Sequence, residues 1–156
     1  MSIISRDIIV AEARSWIGTK FHHQGRIKKS GSSLGGCDCL GLVIGTGKAL
    51  SLKDLHGNDF ASIDTTLYPE LPDGEYLYKK LSYHFKQKEV AEMSVGDLGL
   101  FLFAKNPQHL AIIGASIYGL EKKLTLIHGY SVTGSVCEHI FCPKWRNRLV
   151  AVFSFV

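Results

Sequence analysis

The chain has 156 residues, 46% of them apolar and 21% charged, with a net charge of +4 and a sequence pI near 8.9. That length can bury a core of its own, and the balance excludes a disordered or membrane-embedded chain. The basic residues are scattered, with no groove-like run and no interleaved aromatics, which argues against a nucleic-acid partner; a modest positive excess suits a polyanionic surface such as a bacterial envelope.

The amino terminus, Met-Ser-Ile-Ile-Ser-Arg-Asp, lacks a basic segment followed by a long apolar core, and no window reaches the length of a membrane span. The expectation is one domain over residues 1–156, made in the cytoplasm without a signal peptide and without membrane insertion. From Ser5, a candidate N-cap, Ile9, Ala13, Trp16 and Ile17 recur at helical spacing, and Gly18 stands where the helix would stop. Residues 19–36 read as a long polar loop, and loops of that length often line a site. His22, His23 and Gln24 are the polar groups it could supply there; each is equally well read as a solvated loop side chain.

The loop delivers the chain to Gly35-Gly-Cys-Asp-Cys-Leu-Gly-Leu-Val-Ile-Gly-Thr-Gly-Lys-Ala-Leu. Asp38 can cap a helix whose apolar stripe is Leu40, Val43, Ile44 and Leu50, which places the Cys39 thiol at a helix N-terminus. Amide N–H groups and the positive end of the macrodipole gather there. The thiol pKa is therefore expected below its free value of about 8.5, and the same N–H groups could receive the oxyanion of a tetrahedral intermediate. Gly41, Gly45 and Gly47 each cost roughly 1 kcal/mol against alanine in a helix interior. Gly41 and Gly45 lie one turn apart, which predicts another backbone close against that face, most simply a sheet.

Breakers at Gly57, Asn58, Asp59, Pro69 and Pro72 make the next stretch irregular, and a second amphipathic helix fits 73–88 with Leu77, Leu81 and Phe85 on one stripe. After the turn Met93-Ser-Val-Gly-Asp, strands are predicted over 98–103, 108–114, about 123–129, 134–142 and 147–155 as an antiparallel meander. Helices first and strands afterwards give an α+β class, with the cysteine helix packed on a sheet of about five strands. His109 and His128 are equidistant from a point between Tyr118 and Gly119, so a hairpin centred there would set them directly opposite one another. One imidazole could then take the thiol proton while the other orients it. His56, His84 and His139 have no such relation to the cysteine.

The four cysteines, at 37, 39, 137 and 142, do not form a disulfide framework. No Cys-x-x-Cys or His-x3-His pair occurs, and on a strand over 136–142 Cys137 and Cys142 would face opposite ways, so no metal site is expected.

Several stretches together resemble the NlpC family of papain-like cell-wall cysteine peptidases, in the version found in phage tail and gene-transfer-agent clusters. They are Ala13-Arg-Ser-Trp-Ile-Gly-Thr-Lys-Phe-His-His-Gln-Gly-Arg, Cys37-Asp-Cys-Leu-Gly-Leu-Val, Val95-Gly-Asp-Leu, Gln108-His-Leu-Ala-Ile-Ile, Ile127-His-Gly and Trp145-Arg-Asn-Arg-Leu-Val-Ala-Val-Phe-Ser-Phe. The resemblance implies a papain-like fold with Cys39 as nucleophile, His109 as general base and His128 as the third polar residue, and no cofactor. It also implies cleavage of a peptidoglycan stem peptide between γ-D-glutamate and meso-diaminopimelate, with tail-tip or hub proteins as partners and delivery by a phage-like particle to the target envelope. Two positions depart from the pattern. Phe21 stands where many members carry a tyrosine that helps bind the oxyanion, which passes that duty to His22, His23 or Gln24 or leaves it unfilled, and Lys20 replaces a small residue or proline. Three other readings stay open: a catalytically weak wall-binding or tail-tip module on the same fold, an N-acetylmuramoyl-L-alanine amidase or acyltransferase, and a small zinc module.

Overall fold

A computed structural model of the protein describes residues 4–66, 68, 69 and 75–155. Helix α1 runs Arg6–Ser15 and buries Ile9, Val10 and Ala13; Ser5 holds the N-cap position without a side-chain bond, and Gly18 turns the chain at φ +92°. The polar segment that follows is not wholly irregular. It contains a two-stranded antiparallel ribbon, β1 (Arg26–Ile27) with β2 (Gly36–Cys37), and β2 leads directly into α2 (Cys39–Ala49). Two-residue strands leave no period to read, which is why sequence pattern missed them.

Helix α2 is held by its surroundings rather than by propensity. Gly41, Leu42, Val43, Ile44, Thr46 and Gly47 are all buried, a full circumference of the helix. The close approach expected at its glycines is real, but the neighbours are not a sheet. A Cβ on Gly41 would stand 2.2 Å from the Gly25 carbonyl oxygen, one on Gly45 would stand 2.2 Å from the Trp16 ring, and one on Gly47 would stand 2.0 Å from the Phe60 ring. The β1 loop, α1 and the short helix α3 (Phe60–Ile63) therefore clasp α2 through its bare positions.

Helix α4 (Tyr76–His84) buries Leu77 and Leu81, as the stripe predicts, but it stops before Phe85. Phe85 is extended (φ −124°, ψ 150°), and the lysine-rich continuation forms strand β3 (Lys86–Lys88) instead of a last helical turn. Residues 73 and 74 of the expected helix, and Pro72, lie outside the described residues. The remaining strands are β4 (Leu98–Phe103), β5 (Asn106–Tyr118), β6 (Glu121–Tyr130), β7 (Ser135–Ile140) and β8 (Leu149–Ser154), with a short helix α5 (Pro143–Arg146) before the last. The sheet has six antiparallel strands in the order β3-β8-β4-β5-β6-β7. It is not a simple meander: β8 returns from the far edge to pair with β4 and closes β3 against the sheet.

Alternation sorts the sheet into two faces. Leu98, Leu100, Leu110, Ile112, Ile127 and Phe153 pack with α1, α2 and α4, while Phe101, Ala111, Ile113 and Leu126 pack with Phe141 and Trp145 on the other side. Among the described residues no helix is long and apolar enough to cross a membrane.

The β5–β6 hairpin corrects the expected histidine register. Tyr118 pairs with Glu121 across Gly119 (φ +64°) and Leu120, and the ladder runs to Ile112 opposite Ile127. The centre of the hairpin thus lies one residue beyond the predicted point, and His109 and His128 are diagonal neighbours rather than directly opposed. The slip amounts to two residues in the facing position, which preserves parity, so both rings still emerge on one face.

Candidate active site

Asp38 organises the entrance to α2. Its extended backbone (φ −99°, ψ −170°) sets the N-cap, and one carboxylate oxygen accepts the Gly41 N–H at 2.8 Å. The second oxygen accepts the Gln24 N–H at 2.8 Å and the Tyr68 hydroxyl at 2.5 Å, while Arg26 Nη1 reaches the first at 3.2 Å. Arg26 extends the network by donating to Asp64 at 3.0 Å, the Thr65 carbonyl at 2.9 Å and the Tyr68 oxygen at 2.9 Å. Burial and the Asp38 charge push the Tyr68 phenol above its ordinary pKa, which keeps it a donor. On the other side the end of β6 presses against the helix: a Cβ on Gly129 would lie 2.8 Å from the Asp38 carbonyl oxygen. Glycine at that position lets the strand that carries His128 abut the cysteine.

Cys39 shares a cavity of about 280 Å³ with His109, and its wall includes Phe21, His23, Asp38, Tyr68, Phe103, Gln108, Tyr130 and Ser131. His23 and Asp38, expected near the site, are there. His22 and Gln24 are not part of this wall: His22 Nδ1 bonds the His23 carbonyl, and Gln24 donates its backbone N–H to Asp38 and its side-chain amide to the Tyr68 carbonyl. Phe21 lines the wall without a hydroxyl, and the phenol that bonds Asp38 beside the cysteine comes from Tyr68, about which the spacing of the sequence said nothing.

Behind the cavity lies a row of imidazoles. His109 Nε2 is 2.6 Å from His128 Nδ1, and His128 Nε2 is 2.7 Å from His139 Nε2. Phe103 stacks on His109 (centroids 4.8 Å, 11°), Tyr130 stacks on His128 (5.0 Å, 14°), and Trp145 meets His128 edge-on. Burial in this aromatic box pushes His109 down to about 3 and His128 to about 2, so both are neutral near pH 7. His139 was left out by sequence reasoning because its partner, His128, belongs to another strand; only the β6–β7 pairing brings them together.

The thiol differs from expectation. Burial pushes Cys39 up to about 12, with the Asp38 charge acting in the same direction, against backbone bonds from Leu110 and Leu40 and the Arg26 charge. A helix terminus contributes about 0.3–1 kcal/mol at an exposed site, too little to offset desolvation of a thiolate. Burial thus favours a neutral thiol beside a neutral imidazole. Iodoacetamide at pH 7 is expected to modify Cys39 more slowly than a free cysteine of pKa about 8.5, with peptide mapping assigning the site. Fast alkylation at pH 7 would show a preformed thiolate.

The neutral histidines also link stability to pH. A histidine held at about 3 in the fold takes up its proton near 6.5 once unfolded, so the unfolded state binds more protons between those values. Stability is therefore complete above pH 6.5 and is lost as pH falls toward 3. One such group costs about 2 kcal/mol between pH 6.5 and 5, which lowers the melting temperature by roughly 4–8 °C. A melting temperature constant from pH 7 to 5 would mean that these rings are charged in the fold.

His128, Cys137 and His139 place one ligand atom each within 4.8 Å of one another. Cys142 is not on the strand as expected, because β7 ends at Ile140 and Cys142 is the N-cap of α5, so the predicted opposition of the two cysteines does not arise. The separation of 2.7 Å between the two Nε2 atoms is that of a hydrogen bond. Two nitrogens on one tetrahedral zinc, each at 2.0–2.1 Å, stand about 3.3 Å apart. The group is an imidazole chain in its present geometry. All four cysteines are free thiols, and burial raises Cys37 to about 12.

No protein-family model matches the sequence, and no curated protein matches it. Solved structures do. The chain is similar to the NlpC/p60 domain of the peptidoglycan hydrolase SagA, at 20% identity over 97% of this chain and 99% of that one, with a TM-score of 0.58. It is also similar to an NlpC/P60 family protein from Bacillus cereus (16% identity, 99% of this chain, 41% of that one, TM-score 0.59). NlpC2 from Trichomonas vaginalis matches at 13% identity over 99% of this chain and 48% of that one, with a TM-score of 0.58. The chain thus spans less than half of two of these proteins and nearly the whole of the first. Helices clasping a cysteine-headed α2 beside an antiparallel sheet are, in this protein, the NlpC/p60 papain-like fold.

Proposed function

We propose that the protein is a cysteine peptidase that hydrolyses an amide bond in the stem peptide of peptidoglycan. The observation that carries this reading is the placement of Cys39 and His109 on one cavity wall with His128 bonded to the far nitrogen of His109. In the reaction, His109 Nδ1 takes the Cys39 proton as the sulfur attacks the carbonyl carbon. The proton then goes to the leaving amine, and water hydrolyses the thioester with the same imidazole as base. Backbone N–H groups at the start of α2 serve the developing oxyanion, and His23 is one of the side chains on the wall able to assist where Phe21 offers no donor.

The γ-D-glutamyl to meso-diaminopimelyl bond rests on the sequence resemblance alone, while the SagA domain, which belongs to a peptidoglycan hydrolase, supports peptidoglycan as the substrate. Delivery by a phage-like tail to the target envelope, with tail-tip or hub proteins as partners, rests on the resemblance. Digestion of muropeptides of known sequence, read by mass spectrometry, tests both reaction and bond. The expected products are a fragment ending in γ-D-glutamate and one beginning with diaminopimelate. Release of the intact peptide from muramic acid would identify an amidase instead, and binding without cleavage a wall-binding module.

A further inference from the structure

With three neutral rings, the imidazoles have only one consistent assignment of protons. The Ile140 carbonyl can only accept, and it lies 2.9 Å from His139 Nδ1, so that nitrogen carries the hydrogen. A neutral ring has a single N–H, which leaves His139 Nε2 as an acceptor. His128 Nε2, 2.7 Å away, must then donate, and His128 Nδ1 becomes an acceptor. His109 Nε2, 2.6 Å from it, must donate in turn. The lone pair of His109 is left on Nδ1, which has no hydrogen bond among the described residues. Reversing one ring alone would set two N–H groups or two lone pairs against each other at 2.6–2.7 Å inside an aromatic box.

We propose that His139, fixed by the Ile140 carbonyl, is a positioning residue that locks this tautomer order and so keeps His109 Nδ1 unprotonated for the Cys39 thiol. The inference rests on the peptidase reading for its kinetic consequence, but the proton order is a property of the fold itself. When the thiol proton arrives on Nδ1, the His109 Nε2–H is already committed to His128, and the new positive charge is stabilised along a chain that ends at the partly exposed His139. Return of the proton to the leaving amine restores all three neutral rings.

Replacing His139 with leucine removes the acceptor of the His128 proton; His128 then gains by moving its hydrogen to Nδ1, and His109 must place its own on Nδ1, where it blocks the base. His139→Gln keeps a carbonyl oxygen at comparable reach. The test has two arms. Long-range proton–nitrogen NMR on the Cys39→Ala protein, which needs no turnover, should show Nε2–H tautomers for His109 and His128 and an Nδ1–H tautomer for His139, with His109 changing in the added presence of His139→Leu. Kinetically, His139→Leu should lower kcat about 100-fold with KM unchanged, and His139→Gln should restore it to within about threefold. An Nε2–H tautomer at His139, or a leucine variant with an unchanged His109 tautomer, overturns the lock. Should His139→Leu fail to fold, the tautomers of the Cys39→Ala protein alone decide it. Absence of any hydrolysis together with the expected tautomers would count against the peptidase reading and leave the lock standing.

Discussion

Cys39→Ala is expected to abolish muropeptide cleavage, with kcat/KM falling by at least ~10³-fold, while the protein still folds. The loss is near total because, in the proposed reaction, the thiol makes the covalent bond, and neither Asp38 nor Leu40, its neighbours on the cavity wall at the head of α2, offers a thiol in its place. Alanine suits the first turn of a helix and leaves the Asp38 cap untouched, so the thermal midpoint should stay within a few degrees of wild type. His109→Ala should cost a comparable factor, and the double variant no more than the worse single one, because the proposed nucleophile and base would act as a unit. Wild-type cleavage rates in Cys39→Ala would exclude the cysteine mechanism outright. Preparing the substitution in parallel with a circular dichroism melt separates loss of chemistry from loss of fold.

Asp38→Ala should produce the largest change in stability, about 3–5 kcal/mol, or roughly 6–20 °C in melting temperature. The carboxylate is buried and satisfies the Gly41 and Gln24 N–H groups and the Tyr68 hydroxyl, and it faces the Arg26 guanidinium. An ordinary N-cap loss is worth about 1 kcal/mol. The excess comes from Arg26 and two further donors left without their acceptor in a part-buried setting. Asp38→Asn keeps an oxygen for the cap but presents an amide to donors, and it should recover less than half of the loss. A melting temperature for Asp38→Ala within about 3 °C of wild type would show that Arg26 and Tyr68 find other partners, Asp64 first among them. Because Asp38 immediately precedes the proposed nucleophile, the same variant should also lose cleavage more steeply than its residual folded fraction accounts for.

Much of this architecture could be read before any coordinates. The i, i+4 stripe of α1, the capping aspartate, the apolar run of β4 and the alternation around the two histidines depend on neighbours a few residues away, and that is the range over which sequence periodicity reports. The elements that were missed are those without a period of their own. The β1–β2 ribbon and α5 are two and four residues long, and β3 takes an extended form because its partner is β8, which is more than 60 positions away. The glycines of α2 predicted close packing, but not that Gly25, Trp16 and Phe60 would be the groups that approach.

By itself the sequence determined the α+β order, the placement of Cys39 at a capped helix start and the common face of His109 and His128, since each follows from local spacing and from the two-residue pleat. Tertiary structure alone decided the rest of the site. It put Tyr68 and Arg26 on Asp38, set His23 but not His22 at the cavity, and joined His139 to His128 across two strands. It also reversed the expected thiol pKa, because the helix terminus acts within one turn whereas desolvation sums over every group packed around the sulfur.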